Sequence, residues 1–577
     1  MKKDSLKNCN GKNRKNIIVK KIVTTEQMRV LENDTITNGK SERELQLEAG
    51  LAAAQEAWMS VGAMPERGIL LLVGPGKNGG DGLIAANQLT KWGATPFVYL
   101  LRERNTDDAD WKEFQDSEMP YALATEDTDL QRLEFVLNEA ALIVDALLGI
   151  GVNPEIRPLD QQLSGITRRV NQTKENIVKP HILSLDIPTG INADNGYADL
   201  NAIKADTTVT FGYAKMGLYS FPGRENAGKI IPVDIGLSSK TKNTLPYETL
   251  ELSELKAFVP QRPATAHKGI FGVVTIVGGS SQYPGAIRLA AEAAARSGAG
   301  LVQIAAPDHI QNLIANGLPD VIHEPLSTIE NSLDPSAAVT VLRALDEKKT
   351  RALLIGPGLG NTGNTTKFVH SIISSLGGKK FLNSLILDAD ALNALSGIQD
   401  WSKTLQIPLI ITPHPGEMAR LMGTSIESIQ KSRLESALTY AKYINGIVVL
   451  KGAGTIIASP DGRARISEFA SPVLAKAGTG DVLAGIISGL VAQNVDIFEA
   501  ASLGVYLHAD MGRRVAENYG SSAGIAQDLL KVMPASRKIL DGIETSTLDT
   551  FSSNPLLSNS MQSNQLGEQF MEELAPN

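Results

Sequence analysis

Two glycine-rich segments, each carrying an aspartate, dominate the chemistry this chain could perform. Gly74-Pro-Gly-Lys-Asn-Gly-Gly-Asp-Gly82 follows the apolar run Ile69-Leu-Leu-Leu-Val73, and Lys476-Ala-Gly-Thr-Gly-Asp481 opens into an apolar stretch at 482–490. Glycines let backbone approach an anion closely, and a helix start offers unpaired N–H groups at the positive end of its dipole. Two such segments imply two phosphate-bearing ligands and two active sites. In the first half, segments 77–81, 145–151 and 184–190 all stand at expected strand ends, where open α/β sheets bind ligands. Asn78, Asp145 and Thr189 supply oxygen ligands suited to a hard cation. Asp186, just ahead of Pro188, is placed to donate or accept a proton. In the second half, Gly478-Thr-Gly-Asp481 would cradle a transferring phosphate and let Asp481 deprotonate a hydroxyl. Each segment also has a plain structural reading: Asn-Gly-Gly-Asp as a turn, a strand-end aspartate as a helix cap, Asp481 as a first-turn charge.

The elements that must hold these residues follow from periodicity. Thr24-x-x-Gln27 and Ser41-x-x-Glu44 are capping boxes that open two helices. Strands are expected at 69–73, 97–101, 141–146, 182–185 and 207–211, with a helix at 81–92. Short buried strands between amphipathic helices imply a mostly parallel sheet covered on both faces. After a loop-like stretch at 238–246 the alternation restarts: strands at 273–277, 301–305, 352–355, 385–387, 409–411 and 447–450, and a helix at 286–297. A hairpin turned by Pro460-Asp-Gly462 follows, then helices from 481 to about 531.

Composition narrows the function class. The 577 residues are 42% hydrophobic with a net charge of −8, enough for real cores and unlike a nucleic-acid binder. Cys9 is the single cysteine, which excludes a disulfide framework, a thiolate metal site and a core cysteine nucleophile. No run approaches 18 apolar residues and no signal peptide precedes the folded region, so a soluble cytoplasmic protein without membrane contact is expected. Residues 1–16 read as a disordered basic arm, and 541–577, free of Lys and Arg, as a disordered acidic tail with a short helix at 569–574.

The segment 73–83, Asp145-Ala-Leu-Leu-Gly and Leu185-Asp-Ile-Pro-Thr-Gly together resemble the NAD(P)H-hydrate epimerase family. The resemblance implies a Rossmann-like domain over 17–237 that interconverts the R and S forms of a hydrated nicotinamide dinucleotide. It implies a potassium ion held by Asn78, Asp145 and Thr189. Lys77, Asn78, Gly79, Gly80 and Asp81, with Gly149, Ile150, Gly151, Val152, Asn153, Pro154 and Glu155, would line the dinucleotide, and Asp186 would be the acid/base residue. Lys77 stands where that family usually has asparagine, and Thr189 replaces a commoner serine.

Residues 251–535 resemble the ribokinase-like, ADP-dependent NAD(P)H-hydrate dehydratase family, beyond a linker at 238–250. The motifs are His267-Lys-Gly269, Val277-Gly-Gly-Ser280, Gly356-Pro-Gly-Leu-Gly360, Asp388-Ala-Asp-Ala-Leu-Asn393, Thr412-Pro-His-Pro-Gly-Glu417, Leu450-Lys-Gly-Ala-Gly-Thr455 and Gly478–Asp481. The resemblance implies ADP and magnesium, with Lys451, Gly452, Ala453, Gly454, Thr455 and Gly480 on the nucleotide. Ala286, Gly358, Gly360, His414 and Asp481 would meet the hydrated nicotinamide, although His414 between two prolines also fits a rigid-turn role. It further implies Asp481 as the base that takes the C6 hydroxyl proton, small-molecule substrates (NADHX, NADPHX and ADP) and a homo-oligomer. His181, His309, His323, His370 and His508 lack metal-ligand spacing. Two rivals remain: a hydroxymethylpyrimidine- or thiazole-type kinase using the second loop alone, and a first half that serves only as a binding or scaffold module.

Overall fold

The computed structural model describes residues 20–238 and 245–542. The basic arm and the expected tail helix at 569–574 lie outside the described residues. Both halves are α/β, and each is built on a sheet whose central strands run parallel. In the first half the order is Tyr121–Leu123, Pro96–Leu100, Ile69–Val73, Leu142–Ala146, His181–Leu185, Thr207–Phe211, Lys229–Val233. All six pairings in it are parallel. Ile69–Val73 is apolar throughout and buried at every position, because helices must cover both faces of a parallel sheet. The strand order reverses between Ile69–Val73 and Leu142–Ala146, which opens a crevice beyond their carboxyl ends.

The expected helix at 81–92 in fact runs Lys77–Lys91 and takes the glycines into its first turns. Helix propensity argues against glycine there, but close packing requires it: a Cβ at Gly79 would lie 1.9 Å from the Gly74 carbonyl oxygen. Both predicted capping boxes form, opening Thr25–Thr37 and Glu42–Ser60.

The second sheet has twelve strands. Seven are parallel neighbours, from Ile322–Leu326 through Leu301–Pro307, Val273–Val277, Ala352–Ile355, Ser384–Leu387 and Leu409–Ile411 to Ile447–Leu450. The predicted hairpin, Ile456–Ala458 and Ala464–Ile466, continues it antiparallel. Tyr247–Thr249, inside the stretch expected as a linker, pairs with Ala464–Ile466 and then with Lys21–Val23, which pairs with Ala214–Lys215. The first half therefore extends the second half's sheet. Among the described residues, no helix is long and apolar enough to cross a membrane.

A chain of charges locks this junction. Lys21 Nζ lies 2.5 Å from Glu248, whose other oxygen is 3.1 Å from Arg465 Nε, and Arg465 Nη1 is 2.5 Å from Glu499 on helix Ile497–Ala523. Arg465 and Glu499 are buried. Removing one partner strands a buried charge, whereas replacing both by apolar groups of similar volume is close to neutral. Arg465→Met is thus expected to cost about 3–5 kcal/mol. The Arg465→Met/Glu499→Met pair should regain most of that loss, and calorimetric unfolding of both variants checks this.

Candidate active sites

At the reversal of the first sheet, helix Lys77–Lys91 starts from Gly76 without a side-chain cap, which leaves its first-turn amides for an anion. Asn78 Nδ2 donates to the carbonyls of Leu148 (2.8 Å) and Leu185 (3.2 Å), while its Oδ1 is buried without a partner. Asp145 is fully buried; it accepts from Ser184 Oγ at 2.8 Å, Thr189 N at 2.9 Å and Thr189 Oγ1 at 2.7 Å. Leu148 N in turn donates to Thr189 Oγ1 at 3.1 Å. The three expected cation ligands therefore meet in one knot of oxygens. Burial pushes the Asp145 carboxyl up, and the groups that oppose this are hydroxyls and backbone amides rather than a cation.

Asp186 sits beside this knot with φ +64°, a left-handed conformation that aspartate tolerates better than most residues. Its carboxylate accepts from Phe211 N at 3.1 Å and from the ammonium of Lys215, a lysine only 1% exposed. Asp81 and Glu32 share the crevice. Burial, then the charges of Asp186 and Glu32, hold the Asp81 carboxyl well above its usual range. Glu32 is also raised, by burial first, with Lys215 opposing. A cavity of ≈990 Å³ is lined by Glu32, Lys77, Asn78, Asp81, Asp186 and Lys215, together with Gly149, Ile150, Gly151 and Val152. Lys77 is exposed and ion-paired with Glu42. Asn153 and Glu155 turn away from the cavity. Asn153 Oδ1 accepts from Asn192 at 3.0 Å, and Glu155 accepts from Asn195 at 3.1 Å and lies 3.6 Å from Lys431 of the second half.

In the second half, helix Thr479–Ala492 also starts without a side-chain cap, from Gly478 at φ +89°. It can lie hard against helix Pro284–Arg296 because a Cβ at Gly485 would fall 2.2 Å from the Ala290 carbonyl oxygen. Its first turn faces a lysine: a Cβ at Gly480 would be 3.2 Å from Lys451 Nζ. That ammonium is 2.7 Å from Asp388, itself held by Thr412 Oγ1 at 2.8 Å, and 3.9 Å from Glu417. Asp481 is pushed up to about 7, chiefly by burial and then by Asp388, with Lys451 opposing.

Gly358, at φ +64°, meets Ala286 and Tyr283 so closely that a Cβ there would lie 3.0 Å from Ala286 Cβ. Gly360 N donates to Asp390 at 2.8 Å. His414 caps helix Pro415–Met422: its Nδ1 accepts from the amides of Gly416 (3.0 Å) and Glu417 (3.3 Å), and its own N–H donates to Glu417 at 2.7 Å. The rigid-turn role is therefore real. The amide caps use Nδ1, while Nε2 of this half-exposed ring lies 3.4 Å from Glu417 Oε1.

A family model described as NAD(P)H-hydrate dehydratase matches residues 274–535, and one described as YjeF-related protein N-terminus matches 42–217. The bifunctional NAD(P)H-hydrate repair enzyme Nnr of Moorella thermoacetica is 36% identical over 492 residues, spanning 84% of this chain and 90% of that protein. The chain belongs to this family. The Coxiella burnetii Nnr is 34% identical, over 87% of this chain and 96% of its own. A Bacillus subtilis ADP/ATP-dependent NAD(P)H-hydrate dehydratase, co-crystallised with ATP and Mg2+, is 29% identical over 51% of this chain and 98% of its own, with a TM-score of 0.43.

This member of the repair-enzyme family also shows site residues that sequence patterns do not reveal. Lys215 lies in a two-residue strand, and only the tertiary fold brings it to Asp186. Arg433 threads under the 451–455 loop, donating to the carbonyls of Leu450 (3.1 Å) and Lys451 (3.2 Å), and burial lowers it to about 10. His508, drawn down to about 4 by burial, touches the Thr479 carbonyl at 2.9 Å and supports the turn from behind. Carboxyl-carbon NMR of the ligand-free protein should show Asp481 titrating near 7. Lys451→Met should raise that midpoint, since the lost cation favours the charged carboxylate; a midpoint unchanged by the substitution contradicts the arrangement.

Proposed function

We propose that both sites work on one damaged cofactor: the first interconverts the R and S forms of hydrated NADH or NADPH, and the second dehydrates the S form at the expense of ADP. One juxtaposition carries this reading. Asp481, poised to accept a proton near neutrality, adjoins the Lys451 ammonium at an uncapped helix start. Asp481 takes the proton of the C6 hydroxyl as its oxygen attacks the terminal phosphorus of ADP and AMP leaves. The phosphorylated oxygen then departs as phosphate, assisted by the ring nitrogen's electrons, and loss of a C5 proton restores the double bond. Lys451 and the first-turn amides stabilise the charge on the transferring phosphate. Magnesium would be held through the phosphates of ADP and would supply charge neutralisation for the leaving AMP. Among the described residues, no group of three or more His, Cys, Asp or Glu side chains is arranged to hold a metal.

In the first site, Asp186 and Lys215 form the acid/base pair: one takes the C6 hydroxyl proton and the other protonates the ring nitrogen as the C6–N1 bond opens to an aldehyde, and the reverse transfers close the ring on the opposite face. The unpartnered Asn78 Oδ1, the buried Asp145 carboxylate and Thr189 Oγ1 suit a potassium ion. Bound there, the ion would anchor the dinucleotide phosphates. A kinase of a small heterocycle would leave this cavity without a purpose, and a scaffold module would have no need of the buried Asp186–Lys215 pair.

Incubation with mixed hydrate epimers, with and without ADP, tests the reading through the returning absorbance of the reduced nicotinamide. Asp481→Asn should slow ADP-dependent recovery roughly 10²–10⁴-fold while R and S forms still interconvert; wild-type recovery rules out Asp481 as the base. Asp186→Ala should dehydrate S-hydrate normally but consume R-hydrate only as fast as it epimerises spontaneously. An unchanged R-hydrate rate removes Asp186 from the mechanism. Potassium in place of sodium should tighten dinucleotide binding in the wild type, and Asn78→Ala should erase the difference.

A further inference from the structure

We propose that Phe221, a residue of the first half, is a positioning residue for the second half's ADP loop, Lys451-Gly-Ala-Gly-Thr455. The inference rests on the reading that this loop holds ADP. Gly454 lies within the loop at φ +65°. A Cβ placed there would lie 3.2 Å from the Tyr219 carbonyl oxygen and 3.6 Å from the Phe221 ring, so the first half comes within a methyl group's width of the loop backbone. The loop also rests on Arg433, which approaches the carbonyls of Leu450, Lys451 and Gly454 at 3.1, 3.2 and 3.4 Å. A Cβ at Gly452 would be 3.0 Å from the same guanidinium.

The loop is thus clamped between a guanidinium of its own half and an aromatic ring of the other. Its two glycines would otherwise leave it many conformations to lose when ADP binds, and ordering a loop in advance converts that loss into affinity. The segment that delivers Phe221 is itself fixed. It enters through strand Ala214–Lys215, paired to Lys21–Val23, and continues through a 3-10 turn at Met216–Leu218. Tyr219 then anchors it, 2% exposed, in a core shared with Leu450 and Ile456 on either side of the loop. Lys215, at the start of the same segment, holds Asp186 in the other site.

The test uses the full-length protein, with ADP as the calorimetric probe and both half-reactions as kinetic readouts. Phe221→Ala should weaken ADP binding roughly 3- to 10-fold and raise the ADP KM. The kcat, the KM for S-hydrate and the epimerisation rate should stay near wild type. Phe221→Leu, which keeps an apolar contact against Gly454, should recover most of the affinity. Wild-type ADP affinity in Phe221→Ala overturns the proposal, as does parallel loss of both half-reactions without a selective ADP defect in Phe221→Leu. Lys451→Ala separates the two levels. If it leaves ADP affinity intact, the assignment of the loop to ADP fails; if it abolishes binding while Phe221→Ala does not weaken it, only the clamp fails.

Discussion

The pairing of Tyr247–Thr249 between Ala464–Ile466 and Lys21–Val23 is the constraint on which the rest of the molecule depends. It turns two α/β units, each able to cover its own sheet, into a single continuous structure. The charges that run Lys21, Glu248, Arg465, Glu499 cross the same seam and leave little freedom in how the strands meet. Once the seam is set, strand Ala214–Lys215 is held alongside it, and the segment beyond can touch both sites. One core cluster accordingly mixes first-half residues such as Ile187 and Met216 with second-half residues such as Val277 and Leu450.

The two sites use a buried lysine in opposite ways. Lys215 bonds Asp186 directly, so that carboxylate and ammonium form a compact pair within the crevice. Lys451 is instead committed to Asp388. Asp481 thereby feels the cation only as a neighbour, and its own burial wins, carrying its carboxyl to about 7. A carboxyl that titrates near the working pH is well matched to taking a proton. Which partner each lysine selects is decided by a third residue: Thr412 fixes Asp388 for Lys451, and Phe211 N fixes Asp186 for Lys215.

Much of this was legible in the sequence, because the glycine-rich turns and strand-end aspartates carry their own geometry. Capping boxes at Thr24 and Ser41, the central strands and the hairpin at Pro460-Asp-Gly462 were readable from local chemistry alone. The start of helix Lys77–Lys91 was not, since tight packing on Gly74 overrides glycine's poor helix propensity. Lys21–Val23, Ala214–Lys215 and Tyr247–Thr249 are too short to show a period, and their partners lie hundreds of residues away. Lys215 and Arg433 escaped notice for the same reason. Nothing within ten residues of either announces what it will touch.

The seam also orders events in time. Lys21, Glu248 and Arg465 stand side by side across three strands, yet 444 positions separate the first from the last. A ribosome adding ~5–20 residues per second needs roughly 20–90 s to span that interval. Lys21–Val23 can pair with Ala214–Lys215 and Tyr247–Thr249 partway through it, but the other edge of Tyr247–Thr249 stays unpaired until Ala464–Ile466 is made. Contacts of such high sequence separation also form slowly once the chain is complete. A polypeptide that repairs other molecules therefore spends the second half of its own synthesis with one edge of its seam waiting for one of its last strands.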